Sequence, residues 1–281
     1  MKKRKGFFYY FVRNKNGMIG FAGVLLIVVI GMAGTMVIPK PEGYTSDILM
    51  APSAAHWLGT DNLGLDIFAE LVWGAQTSLY VSILAMLIAG AIGIPLGLVC
   101  GYANGWLREC IDGMIDIFMT LPMLPLMIIV AAIMGTSITN VALILGVFSW
   151  PQLARVTKNS TLKIREMQYI EAAACLGIPP GRILYRHVLI NASGPVLVNM
   201  TLVMASAVLT EASLSFLGLG DPTTWSWGTI LKQAWSQNAV ISSPNPWWWW
   251  LIPSLCIVVY VVCFNLFGTA LNDCLNPKGR E

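Results

Sequence analysis

The sequence predicts an all-α integral membrane protein with six transmembrane helices. Three observations carry this. Apolar residues make up 56% of the chain and charged residues only 11%, against about 25% charged in a typical soluble domain. Several apolar stretches are long enough to cross a bilayer, which takes about 20 helical residues. The basic residues are also segregated. Of the 17 lysines and arginines, only Lys40 and Lys232 fall outside the segments that six crossings place on one side. Such asymmetry marks the cytoplasmic face, so both termini are expected there.

Residues 1–16 form a basic N-terminus with Lys2, Lys3, Arg4, Lys5, Arg13 and Lys15, and aromatics from Phe7 to Phe11. Residues 17–38 read as the first transmembrane helix. A cleaved signal peptide is the competing reading, but the run Met18–Ile38 exceeds a usual signal core and no convincing small-residue cleavage site follows. Pro39 and Pro41 end this span, and residues 39–76 read as an extracytoplasmic segment. Inside it, His56 to Asp66 alternates turn residues with apolar ones. Asp61, Asn62 and Asp66 miss calcium-loop spacing.

Residues 77–270 read as a five-helix transmembrane core. Its first span, Thr77–Val99, holds Gly90, Gly93, Pro95 and Gly97, which predict a kink or a close helix approach. The next, Gly113–Met134, starts with Asp112 and Asp116 near a helix N-terminus and is distorted by Pro122 and Pro125. Thr139–Val156 follows, then a basic loop over 157–187. Pro195–Leu217 carries Glu211, an acid well inside a span. Trp247–Trp250 reads as an interfacial aromatic anchor before the last span, Leu251–Ala270. Residues 271–281 form a cytoplasmic tail.

Within the basic loop, Glu171 to Asn191 reads EAAACLGIPPGRILYRHVLIN. Glu171 to Ala174 favours helix. Gly177 can end that helix in a left-handed conformation. Pro179 blocks direct resumption, and Pro180 suits the first turn of a second short helix. Small Ala173 and Ala174 would let a partner's backbone approach, as in docking of a helix into a groove.

This stretch resembles the EAA loop of ABC importer permeases, although Ile190 stands where that family has Pro. The stretch from His56 to Asp66 resembles the HWLGTDxLGRD segment of dipeptide/oligopeptide/nickel permeases, with Leu65 in place of the usual Arg. Glu211 to Gly220 resembles EAxLSFLGLG of the same permeases. Trp227-Gly228 and Phe264 to Gly268, with Asp273 and Pro277, match later landmarks, with Thr269 and Asn272 departing from the pattern. The resemblance covers about residues 56–277. It implies a type I ABC importer permease fold in the inner (cytoplasmic) membrane. It also implies a second permease as heterodimer partner, two ATP-binding cassette subunits and an extracytoplasmic solute-binding protein. On this resemblance Glu171, Ala172, Ala173, Gly177 and Arg182 form the ATPase-docking loop. Peptides are the implied substrate, with nickel or a metal chelate as the alternative.

Elementary chemistry narrows the same choice. No Gly-Lys pair exists, hence no phosphate-cradling loop, and ATP hydrolysis is expected in partner subunits. No catalytic residues, cofactor or metal site are expected: His56 and His187 stand far apart, and the cysteines at 100, 110, 175, 256, 263 and 274 form no CxxC. The small net charge of +3 gives no sign of nucleic-acid binding. An ion-coupled secondary transporter would need a relay of embedded ionisable groups, and Glu211 stands alone. A membrane enzyme would need clustered acids and histidines. Glu211 itself is a candidate for the translocation path. The competing reading is a structural acid bonded to backbone or to hydroxyls, with Thr210, Ser213 and Ser215 adjacent in sequence.

Overall fold

The computed structural model describes residues 11–275. The basic cluster Lys2–Lys5, the aromatics before Phe11 and the landmark Pro277 lie outside the described residues. Within them the chain is almost entirely helical.

Helix α1 spans Lys15–Val29 and is capped by Asn14, whose side chain accepts from the Gly17 N–H at 3.2 Å. It continues through a π-helical turn, Ile30–Gly34, and a last turn, Thr35–Val37. Gly20 explains its placement. A Cβ there would lie 2.6 Å from the Phe267 nitrogen, so only glycine lets α1 lie this close to the last helix.

Helix α2, Ile67–Tyr102, begins ten residues earlier than the expected span. Asp66 caps it, accepting from the N–H of Phe68 at 2.8 Å, which satisfies an otherwise orphan donor. The stretch from Ile67 to Gln76, assigned by sequence to the outer segment, is therefore the head of this helix. Gly93, Gly97 and Gly101 form its seam with α5, Ile138–Arg165. A Cβ on Gly97 would come 2.5 Å from the Ala154 carbonyl oxygen, and one on Gly93 2.7 Å from that of Trp150. Gly90 has its nearest neighbour 3.5 Å away and permits no such approach.

The span expected over Gly113–Met134 is two helices. Helix α3, Trp106–Thr120, and helix α4, Met123–Met134, meet at 87° across Leu121-Pro122. Pro125 sits in the first turn of α4, where a missing N–H costs little. Asp112 and Asp116 are not at a helix start. They lie midway along α3 and pair with Lys158 and Arg155 of α5.

Helix α5 runs past the expected Val156 to Arg165 and absorbs the first part of the basic loop. Helix α6, Gln168–Cys175, and helix α7, Pro180–Ile183, follow. The second short helix is not separate. Through a π-helical stretch, Leu184–Leu189, it enters helix α8, Ile190–Phe216, giving one rod from Pro180 to Phe216. An unforeseen helix α9, Trp227–Ser236, opens with a capping box between Ser226 and Thr229, each satisfying the other's backbone N–H. Helix α10, Trp247–Leu275, closes the bundle.

Four of these rods are long and apolar enough to cross a membrane: Lys15–Val37, α2, Pro180–Phe216 and α10. The bent pair α3–α4 adds a fifth if it is one crossing. The remaining expected span lies in α5. Its apolar part, ending near Trp150, is short, and its second half is polar and basic.

The three largest parts of the core run along the bundle. Trp227, Trp249, Tyr260 and Phe264 hold α2, α8, α9 and α10 together at the α9 end of the bundle. Val81, Met127, Leu145 and Leu214 join α2, α4, α5 and α8. Leu153, Ile170, Ile183 and Val188 knit α5 to the opposite end. The tryptophan run is only partly an interfacial anchor. Trp248 and Trp249 are buried, and Trp248 donates to the Thr60 carbonyl at 3.2 Å.

Candidate functional site

At one end of the bundle, α6 and α7 form the predicted helix, corner and helix. Gly177 takes φ +74°. Its N–H donates to the Ala174 carbonyl at 3.0 Å, and the Ile178 N–H to that of Ala173 at 3.2 Å. These two bonds are a Schellman closure, which satisfies the last carbonyls of α6. No atom lies within 4 Å of a Cβ built on Gly177, so its requirement is conformational and not steric. Pro180 starts α7 in its first turn.

The element is two-faced. Ile170, Ala173, Ile183 and Val188 turn inward onto Leu153 and Ile164. Ala173 is thus not an open approach point for a partner. It is 8% exposed and packs on its own chain, because it lies three residues after Ile170 on the same helical face. Glu171, Ala172, Ala174, Gly177 and Arg182 are exposed. Beside them stand Leu176, 81% exposed, and Tyr185, 75% exposed. Sequence reading passed over these two, although an apolar residue opposite the Ile170–Ala173 stripe was a usable signal. A large apolar side chain held out on a rigid cap is a feature of contact surfaces.

At the other end, Glu211 is fully enclosed. Ser215, one turn on, donates its hydroxyl to Glu211 Oε1 at 2.6 Å. The Ser226 hydroxyl, at the N-terminus of α9, also lies beside the carboxyl. Gly228 makes that approach possible, since a Cβ there would be 2.6 Å from the Ala212 Cα. Thr210 and Ser213, the other neighbours considered, bond to carbonyls of their own helix.

A cavity of about 630 Å³ opens at this end. Its walls are the segment Lys40–Tyr44, the turn after α8 and one face of α9, including Lys232 and Gln233. Glu211 is not among the lining residues, although Ser215 is. Helix α9 was not foreseen, so these α9 groups were not singled out from sequence.

Apolar rods, a two-faced cap at one end and a cavity at the other define a multi-pass membrane protein of the transporter class. Residues 93–281 match the family described as binding-protein-dependent transport system inner membrane component, and the chain belongs to that family. It is 36% identical over 276 residues to the glutathione transport system permease protein GsiD of Pectobacterium atrosepticum, covering 97% of this chain and 90% of that protein. It is 34% identical to the dipeptide transport system permease protein DppC of Alkalihalophilus pseudofirmus, covering 96% and 88%. A chain of the MetNI methionine ABC transporter, solved in inward-facing conformations, shares the fold with a TM-score of 0.60 at 20% identity. That likeness covers 73% of this chain and 95% of the other. The type I ABC importer permease fold is thereby shown.

Proposed function

We propose that this chain is the permease subunit of an ATP-driven importer for peptides, forming the translocation path with a second permease. The relatives named for glutathione and dipeptide transport support the substrate class. No observation favours the nickel or metal-chelate alternative. Two ATP-binding cassette subunits and an extracytoplasmic solute-binding protein complete the assembly. ATP hydrolysis belongs to the cassette subunits, consistent with the missing phosphate loop.

One observation carries the mechanism: α7, which follows the α6 cap, is the start of a rod that runs on through α8. A push on Arg182 by a closing ATPase pair acts on this rod directly, and one on Glu171, Ala172 or Leu176 reaches it through the turn at Gly177. The basic asymmetry supports a cytoplasmic position for this face and for both termini. The cavity beside Lys232 then opens outward, where a solute-binding protein delivers its cargo. Glu211 is assigned a structural role, fastening α8 to the N-terminus of α9. Its enclosure by Ser215 and the nearby Ser226 supports this over a place on the path.

The test is uptake by vesicles holding the complete complex. Labelled di- or tripeptides should accumulate only with ATP and the binding protein. Accumulation of a nickel chelate without peptide uptake would replace the substrate assignment. Uptake driven by an ion gradient without ATP would overturn the importer assignment itself.

A further inference from the structure

The buried carboxyl oxygens at the α9 end of the bundle that lack any donor include Asp61 Oδ2 and both oxygens of Glu70. Both residues are fully enclosed, at 0% exposure. Their carboxyl groups lie within hydrogen-bonding reach of each other. Two adjacent ionised carboxylates cannot both be kept out of water at neutral pH. No lysine or arginine pairs with either among the described residues. We propose that Asp61 and Glu70 share one proton, and that this bond latches the segment before α2 onto the head of that helix.

The surroundings decide which residue carries the proton. Asp61 Oδ1 accepts from the backbone N–H of Leu63 at 2.8 Å and of Leu65 at 2.7 Å. Two such donors stabilise the anion at Asp61. Glu70 receives none. The proton therefore rests on Glu70, whose hydroxyl donates to Asp61 Oδ2. The bond ties the Asp61–Leu65 turn to the first turn of α2.

The other charges around the pair are acids and one histidine. Asp66 stands one helical turn before Glu70, its carbonyl accepting from the Glu70 N–H at 3.1 Å. Asp66 is held by its helix cap and by His56 Nδ1 at 3.0 Å, while His56 Nε2 lies 3.5 Å from Asp47. The hydrogen bonds to Asp66 and Asp47 raise the pKa of His56 above its ordinary value. Burial pushes the Asp61 carboxyl up as well, against the pull of its backbone donors. Both effects have the same sign. A histidine raised on folding holds its partners at acid pH and releases them as pH rises through the raised value. A shared acid proton is likewise lost as pH rises, leaving two buried anions in repulsion. The segment is thus tight at acid and neutral pH and loosens in alkali. Non-titrating bonds, such as Thr45 Oγ1 donating to the Gly64 carbonyl at 2.6 Å, remain throughout.

Hydrogen exchange over residues 45–65, in the full-length protein in lipid nanodiscs, reads the latch directly. Rates are corrected for the intrinsic pH dependence of exchange and followed from about pH 6 to about pH 9. Wild-type protection should fall toward alkaline pH, by up to about tenfold per pH unit once the proton is lost. Glu70→Gln supplies an amide donor that does not titrate. It should keep the segment protected at every pH, apart from the His56 contribution. Glu70→Ala should be open throughout. His56→Asn should remove only part of the wild-type pH dependence. The proposal fails if Glu70→Gln follows the wild-type profile, or if His56→Asn abolishes the whole dependence. It also fails if adding calcium or sodium restores protection at alkaline pH, since the pair would then be a cation site. Should Glu70→Ala not fold, the Glu70→Gln profile alone still decides.

Discussion

Gly177 shows how much a single residue can demand without touching anything. Its φ of +74° closes α6, and open space surrounds it. A β-branched side chain there is strained by its own backbone. Gly177→Val should therefore reopen the Schellman closure at a cost of about 1–2 kcal/mol, while the protein still inserts. Co-purification with the ATPase subunits should fall, or hydrolysis should uncouple from uptake. Normal assembly with normal coupled uptake would reduce Gly177 to an ordinary turn residue. Glu211 makes the opposite case, an acid whose partners lie in its own chain. Glu211→Gln keeps the Ser215 hydrogen bond and should leave uptake and melting temperature near wild type. Glu211→Ala should cost about 2 kcal/mol through the lost bond and the void. A selective loss of uptake in Glu211→Gln, with assembly intact, would restore its charge to the transport path.

At the scale of elements, the glycine seam between α2 and α5 gives a graded test. Gly97→Val places a side chain against the Ala154 carbonyl and should lower the melting temperature in detergent sharply, since overpacking costs about 1–3 kcal/mol or more. Gly90→Ala, with no neighbour inside 3.5 Å, should be neutral or slightly stabilising. Equal behaviour of the two would remove close helix approach as the reason for the seam. Much of this scale could be read in the sequence. The glycines at 93 and 97, the break at Pro122 and the turn at Gly177 are local signals, fixed by backbone sterics within a few residues. What escaped reading depended on distant partners. Asp112 and Asp116 looked like helix-start acids, because nothing local reveals Lys158 and Arg155 on α5. Trp248 and Trp249 looked like an interfacial belt, because burial against Thr60 and α9 is a tertiary fact. Ala173 looked open because its own helix hid which face α5 would cover. Helix α9 has a strong cap but only ten residues, too short for an apolar period to stand out between tryptophan-rich turns.

For the whole molecule, orientation is the testable property. Cys110 and Cys175 are exposed at the end bearing the basic residues. In intact cells both should resist an impermeant thiol reagent, and both should react after permeabilisation. A cysteine introduced at Asp47 should be labelled from outside. Labelling of Cys175 from outside, with Asp47→Cys protected, would invert the topology and with it the docking assignment.

The rod from Pro180 to Phe216 gives the molecule a mechanical character. At 1.5 Å per residue its 37 residues make a lever about 55 Å long. Tilting it by about 5° would swing one tip by about 5 Å relative to the other, roughly one helical turn. The regular backbone ladder of the lever is interrupted at two places, the π-helical stretch Leu184–Leu189 and Pro195, which lacks the N–H of a helical bond. The π-helical stretch lies at the α7 end of the rod. The far tip carries Gly218 at φ +89°, and its missing side chain leaves room for the Lys232 ammonium, about 3.0 Å from where a Cβ would stand. A tilt of the rod would therefore move the wall of the cavity that Gly218 and Lys232 line.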